Sequence, residues 1–117
     1  MSTATIYGNL GFNTDGNLYA ISGSGDFRPS FDGVGIYTVE FDVPFDNTPT
    51  VTITQIWNGS LDTTNKLDDF TYDGGDVRDN AVMIAVDEKH CRFCVGSGNN
   101  GAKQNRMVGF IAVGPCD

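Results

Sequence analysis

Apolar residues in this chain recur at every second position, and no window shows the three- and four-residue spacing of an amphipathic helix. Over Ile36–Asp42, Tyr37, Val39 and Phe41 fall on one side, with Thr38, Glu40 and Asp42 on the other. Val51 and Ile53 alternate with Thr50, Thr52 and Thr54 in the same way. A side-chain period of two belongs to an extended strand, and apolar-in, polar-out alternation belongs to an antiparallel sheet with one face in the core. Pro44 and Pro49 flank Asp46-Asn47-Thr48 between these runs and mark a strand end and a connection, since proline cannot serve a central ladder. Acidic composition agrees with this pattern. Only Glu40 and Glu88 are glutamates, and the remaining acids are aspartates, which bond their own backbone in turns. Fifteen glycines complete a turn-rich, helix-poor chain.

Two further runs, Ala81–Val86 and Met107–Val113, are apolar at consecutive positions and bounded by turn residues. Their length predicts strands covered on both faces, one by the core and the other by a neighbouring subunit. Shorter strands are predicted at Thr5–Tyr7, Leu18–Ser22, Asp26–Arg28 and Cys91–Val95. The expected fold is all-β, a single antiparallel β-sandwich of about six to eight strands over residues 1–117, jelly-roll-like and without substantial helix. A chain of 117 residues and 12.6 kDa can build such a core without metal or disulfide.

The formal charge is −8, from 15 acidic against 7 basic residues. A field of that sign repels phosphate, so nucleic acid and anionic membrane are not expected partners. No stretch reaches the ~18 apolar residues of a membrane helix, and Met1–Ala20 shows no signal-peptide pattern.

His90-Cys91-Arg92-Phe93-Cys94, with Cys116 downstream, holds zinc-ligand chemistry. In a strand, however, Cys91 and Cys94 point to opposite faces about 10 Å apart, so neither a zinc site nor a bridge between them is expected. His90 is the only histidine and no nucleophile-elbow or phosphate-loop sequence is present, so the expected function is non-enzymatic. The long connection Asn58–Asn80 carries Asp62, Asp68, Asp69, Asp73, Asp76 and Asp79 against Lys66 and Arg78. Asp68, Asp69, Asp73 and Asp76 are hard oxygen donors at short spacing, the type calcium takes, although no EF-hand pattern accompanies them. The same connection suits a sugar. Trp57 or Tyr72 would stack on the C–H face of a pyranose, while Asn58, Asp62, Asp73 and Arg78 would hold its hydroxyls. The glycine-rich connection Gly96–Gly101 would stand beside it, because binding residues gather on loops held by a rigid sheet.

Gly35-Ile36-Tyr37-Thr38-Val39-Glu40-Phe41, Pro44-Phe45, Pro49-Thr50-Val51-Thr52-Ile53 and the final Val108–Pro115 run together resemble a known pattern. Small β-sandwich modules at the C-termini of phage fibre and bacterial collagen-like proteins carry it, and it is similar to the H-type lectin domain. The resemblance covers roughly Ser24 to Pro115. It implies a trimeric sandwich on a virion or cell surface, binding a glycan or surface receptor in the lectin branch, or else a structural trimerisation or decoration module. H-type lectins carry a Trp just before the last strand, where this chain has Asn99–Asn105 without one. Arg78 would correspond to an Arg that leads their mid-chain strand.

Overall fold

A computed structural model describes residues 2–57, 67–68 and 75–117. Eight strands follow in order: β1 (Ser2–Phe12), β2 (Leu18–Gly23), β3 (Phe27–Gly33), β4 (Ile36–Phe41), β5 (Thr50–Gln55), β6 (Asn80–Val86), β7 (His90–Gly96) and β8 (Val108–Cys116). They form two four-stranded antiparallel sheets, β2-β1-β8-β5 and β3-β4-β7-β6, and no helix occurs among the described residues. This is the β-sandwich that the alternation predicts.

The core lies between the sheets. Tyr37, Val39 and Phe41 of β4 are fully buried, as are Cys91 and Phe93 of β7. From the first sheet come Leu10, Val108 and Ala112, likewise fully buried. Aromatic rings meet edge to face in this layer, Phe27 with Phe110 across the two sheets at 4.9 Å and Tyr37 with Phe93 on neighbouring strands of the second sheet at 5.7 Å between centroids. Such pairs add about 0.5–1.5 kcal/mol to the burial of their area. The connection between the two prolines contributes Phe45, which packs on Phe41.

Several expectations need correction. The first strand is eleven residues long rather than three, and pairs with β8 from Ser2↔Cys116 to Leu10↔Val108. Its inward positions include Ile6, Gly8, Leu10 and Phe12, and Gly8 hides the period because the ring of Phe27 fills its place. A Cβ on Gly8 would lie 2.3 Å from Phe27 Cζ. β3 runs through Pro29, which an edge strand tolerates. β6 and β8, expected to face the core on one side and a neighbouring subunit on the other, face the core on one side and leave the other open in the single chain. Val82 and Ile84 of β6 and Ile111 of β8 each keep about half their surface exposed (52%, 52% and 51%). Strand alternation points their neighbours inward, and the sandwich has only one interior.

β7 settles the cysteine geometry. Cys91 faces the core, while Cys94 pairs with Val82 and Ile36 on the outer side. Burial pushes the Cys91 thiol up to about 12. Cys91, Cys94 and Cys116 are all free thiols.

Candidate functional site

β5, β6, β7 and β8 bring their ends together at one tip of the sandwich, where residues 75–79 meet the Gly96–Gly101 loop. The turn at residues 76–79 is closed by the Asp79 amide donating to the Asp76 carbonyl (2.9 Å). Asp79 then works in three directions. Its Oδ1 accepts from the Gly98 amide at 2.9 Å, and its Oδ2 accepts from the Asp76 amide and from Arg106 Nη1, both at 3.1 Å. The Arg106–Asp79 ion pair is almost wholly buried, at 3% and 8% side-chain exposure. Arg106 also donates Nη2 to Gln104 Oε1.

Tyr37 reaches the same segment from the core. Its hydroxyl accepts from the Arg106 amide (2.8 Å) and donates to the Arg106 carbonyl (2.9 Å). Burial pushes this phenol up to about 12, although the hydrogen bond from Arg106 and its charge pull the other way. Gln55 ties β5 to the tip by accepting from the Gly96 amide at 2.9 Å. Two close approaches complete the fit. A Cβ on Gly98 would stand 1.9 Å from the Arg78 carbonyl oxygen, and one on Gly75 would stand 2.0 Å from Trp57 Cε2. Glycine at these positions lets backbone lie directly on backbone and on the indole.

Trp57 and Arg78 are the two predicted sugar contacts that the structure describes, and they occupy adjacent depressions. Trp57, 36% exposed, lines one of about 290 Å³ with Gln55, Ile56, Asp76, Val77 and Asp79. Arg78 lines another of about 280 Å³ with Asn80, Val82, Cys94 and Lys103. Its guanidinium holds both Asp76 oxygens (Nη2 at 2.7 Å, Nε at 3.0 Å) and reaches Asn99 Oδ1 at 2.9 Å. Those bonds draw the Asp76 carboxyl down to about 2 and raise the Arg78 guanidinium. Asn58, Asp62, Tyr72 and Asp73 lie outside the described residues.

Asp69 and Asp73 of the predicted calcium set also fall outside them. Asp68 is exposed, and Asp76 gives its oxygens to Arg78. Among the described residues no three His, Cys, Asp or Glu side chains are grouped to hold a metal ion. His90 stands at the far end of β7, its ring nitrogens 3.2 Å from Asp87 Oδ1 and 3.5 Å from Glu40 Oε2.

Sequence reading assigned no site role to Asp79, Arg106, Asn99 or Lys103. Lone polar residues in turns carry no periodic signal, and the bonds that join Asp79 to Gly98 and Arg106, and Asn99 to Arg78, span 19 to 27 positions. Comparison of the chain with protein-family models, curated proteins and solved structures gives no match.

Proposed function

We propose that this chain is a non-enzymatic recognition module, binding a cell-surface glycan or receptor at the tip and working as a homotrimer. The buried Arg106–Asp79 pair, which locks two loops into one ordered surface, is the observation that supports it most. Weak hydroxyl-rich ligands gain about 1 kcal/mol net per hydrogen bond, so a site for them must be ordered before they arrive. Trp57 offers an exposed indole surface beside Asp76 and Asp79, and Arg78 and Lys103 add cationic donors in the neighbouring depression. Trimeric presentation multiplies weak single-site affinity.

A structural trimerisation or decoration module is the second reading. It is favoured by the exposed Val82 and Ile84 on β6, an edge strand with an open row of backbone groups. Both readings need partner copies, since the resemblance to fibre-tip and H-type lectin modules implies a trimer.

The binding test uses Trp57→Ala and Arg78→Ala, each checked for an unchanged melting curve, on a glycan array with and without calcium. Each variant is expected to bind at least tenfold more weakly than the parent chain. Full binding by both would remove the tip as the site. Light scattering at micromolar concentration is expected to give three times the 12.6 kDa chain mass. A clean monomer there would sink the trimer.

A further inference from the structure

The first sheet carries no charge. None of the 15 acidic and 7 basic residues, nor His90, lies in β1, β2, β5 or β8, although the chain as a whole stands at −8. Its outer face is built in rows fixed by strand register: Asn9–Gly109–Thr54, then Tyr7–Ile111–Thr52, then Thr5–Val113–Thr50. Gly109 leaves the middle of the first row without a side chain. A groove of about 350 Å³ opens there, walled by Tyr7, Asn9, Thr52, Thr54 and Ile111. Adjacent strands lie about 4.8 Å apart, so the gap between the β1 and β5 walls is roughly 10 Å wide. Ile56 lines this groove and also the depression that holds Trp57. The two hollows are therefore neighbours that share one side chain.

We propose that the groove is the continuation of the tip site and takes the successive units of an extended, neutral oligosaccharide. The proposal rests on the tip reading and names its ligand class. Tyr7 is half-exposed (50%) and presents an apolar ring to sugar C–H groups. Asn9 is oriented in advance, because its Nδ2 donates to Ser22 Oγ at 2.9 Å. Its Oδ1 lies over the glycine gap, 3.0 Å from where a Gly109 Cβ would stand. Thr52 and Thr54 supply hydroxyls that both donate and accept, which matches a ligand made of hydroxyls. The neutrality of the face selects the class. A charged ligand finds no counter-charge on this sheet, and an anionic chain meets a protein of like sign. A neutral chain incurs none of these costs. Sugars stacked along rigid strands rather than loops also lose little in ordering the protein.

The experiment is calorimetric titration of the full chain with neutral glucose, xylose and N-acetylglucosamine oligomers of one to six units. Affinity is expected to rise at least tenfold between the monomer and the tetramer of the preferred series. Gly109→Val fills the gap from an outward-facing strand position, and Tyr7→Ala removes the stacking ring. Each is expected to abolish that gain while keeping the parent's circular dichroism and its single-unit affinity. Trp57→Ala is expected to lower affinity at every length. Length-independent affinity, or a gain retained in both groove variants, would overturn the groove. So would a fall in solution mass in Gly109→Val with glycan affinity unchanged, which assigns the face to a second copy. Binding of acidic glycans alone would remove the groove and leave the tip reading standing. Loss in the groove variants with none in Trp57→Ala would do the reverse.

Discussion

Asp79→Ala is expected to destabilise the protein by about 3–5 kcal/mol, the usual cost of leaving half of a buried ion pair behind. Arg106 would keep its charge in a site only 3% exposed, with Gln104 as its remaining side-chain partner among the described residues. The Gly98 amide and the Asp76 amide would lose their carboxylate acceptor in the same step. In a domain of this size such a loss lowers the melting temperature by on the order of 10–20 °C. Thermal and urea unfolding of the two proteins measure it. The double variant Asp79→Leu with Arg106→Met should recover much of the stability, because an apolar pair of similar volume needs no desolvation of charge. It should not recover glycan affinity, since the carboxylate that joins residues 75–79 to the Gly96–Gly101 loop is gone. A loss below about 1 kcal/mol in Asp79→Ala would mean that water replaces the pair, and would remove the argument for a pre-ordered tip.

Tyr37 is the second position with a large expected effect, and it separates packing from hydrogen bonding. Tyr37→Phe keeps the ring against Phe93 and Phe12 but strands the Arg106 amide and carbonyl, at about 1–3 kcal/mol. Tyr37→Ala also empties a fully buried site and should cost a further 3–5 kcal/mol or so. A pH arm distinguishes the hydroxyl from the ring. The phenol is raised to about 12 in the fold, against about 10 unfolded, so the folded state keeps its proton longer. Its contribution is therefore complete below pH 10 and is lost as pH rises toward 12, roughly 2–3 kcal/mol across that window. The buried Cys91 thiol, also raised to about 12, acts in the same direction from lower pH. Tyr37→Phe should lose the phenol's part of this alkaline sensitivity and keep the thiol's. Identical pH–stability slopes above pH 10 in parent and Tyr37→Phe would refute the assignment.

Legibility in the sequence followed the size of the side chains. Tyr37, Val39 and Phe41 announced their strand because large apolar groups on one face leave a strict alternation. β1 was harder to read: Gly8 breaks the series, and what fills its place is Phe27, nineteen residues away. Alternation likewise puts Cys91 and Cys94 on opposite faces, as they stand in β7. At β6 and β8 apolar residues on both faces predict a core on one side and a neighbouring subunit on the other, and the single chain covers the first side and leaves the second open.

The tip divides in the same way. That the aspartate-rich connection and the glycine-rich loop would meet was inferable from their places at strand ends, and residues 75–79 do meet Gly96–Gly101. That Arg78 would be held by Asp76, and Trp57 overlain by Gly75, was not. A hydrogen bond depends on distances of a few tenths of an ångström, and spacing along the chain carries no such information.

By itself, then, the chain's period of two and its turn chemistry determined an antiparallel sandwich and its principal core residues, because side-chain direction in a strand is a local property. Strand order is not local. Only the tertiary structure placed β1, β8 and β5 side by side, segments well separated in the chain that happen to share the absence of any charge. The same assembly set Asp79 on Arg106 across 27 positions. An uncharged groove and a buried ion pair exist only once those distant segments are adjacent, and pattern along a sequence does not say which strands will be neighbours.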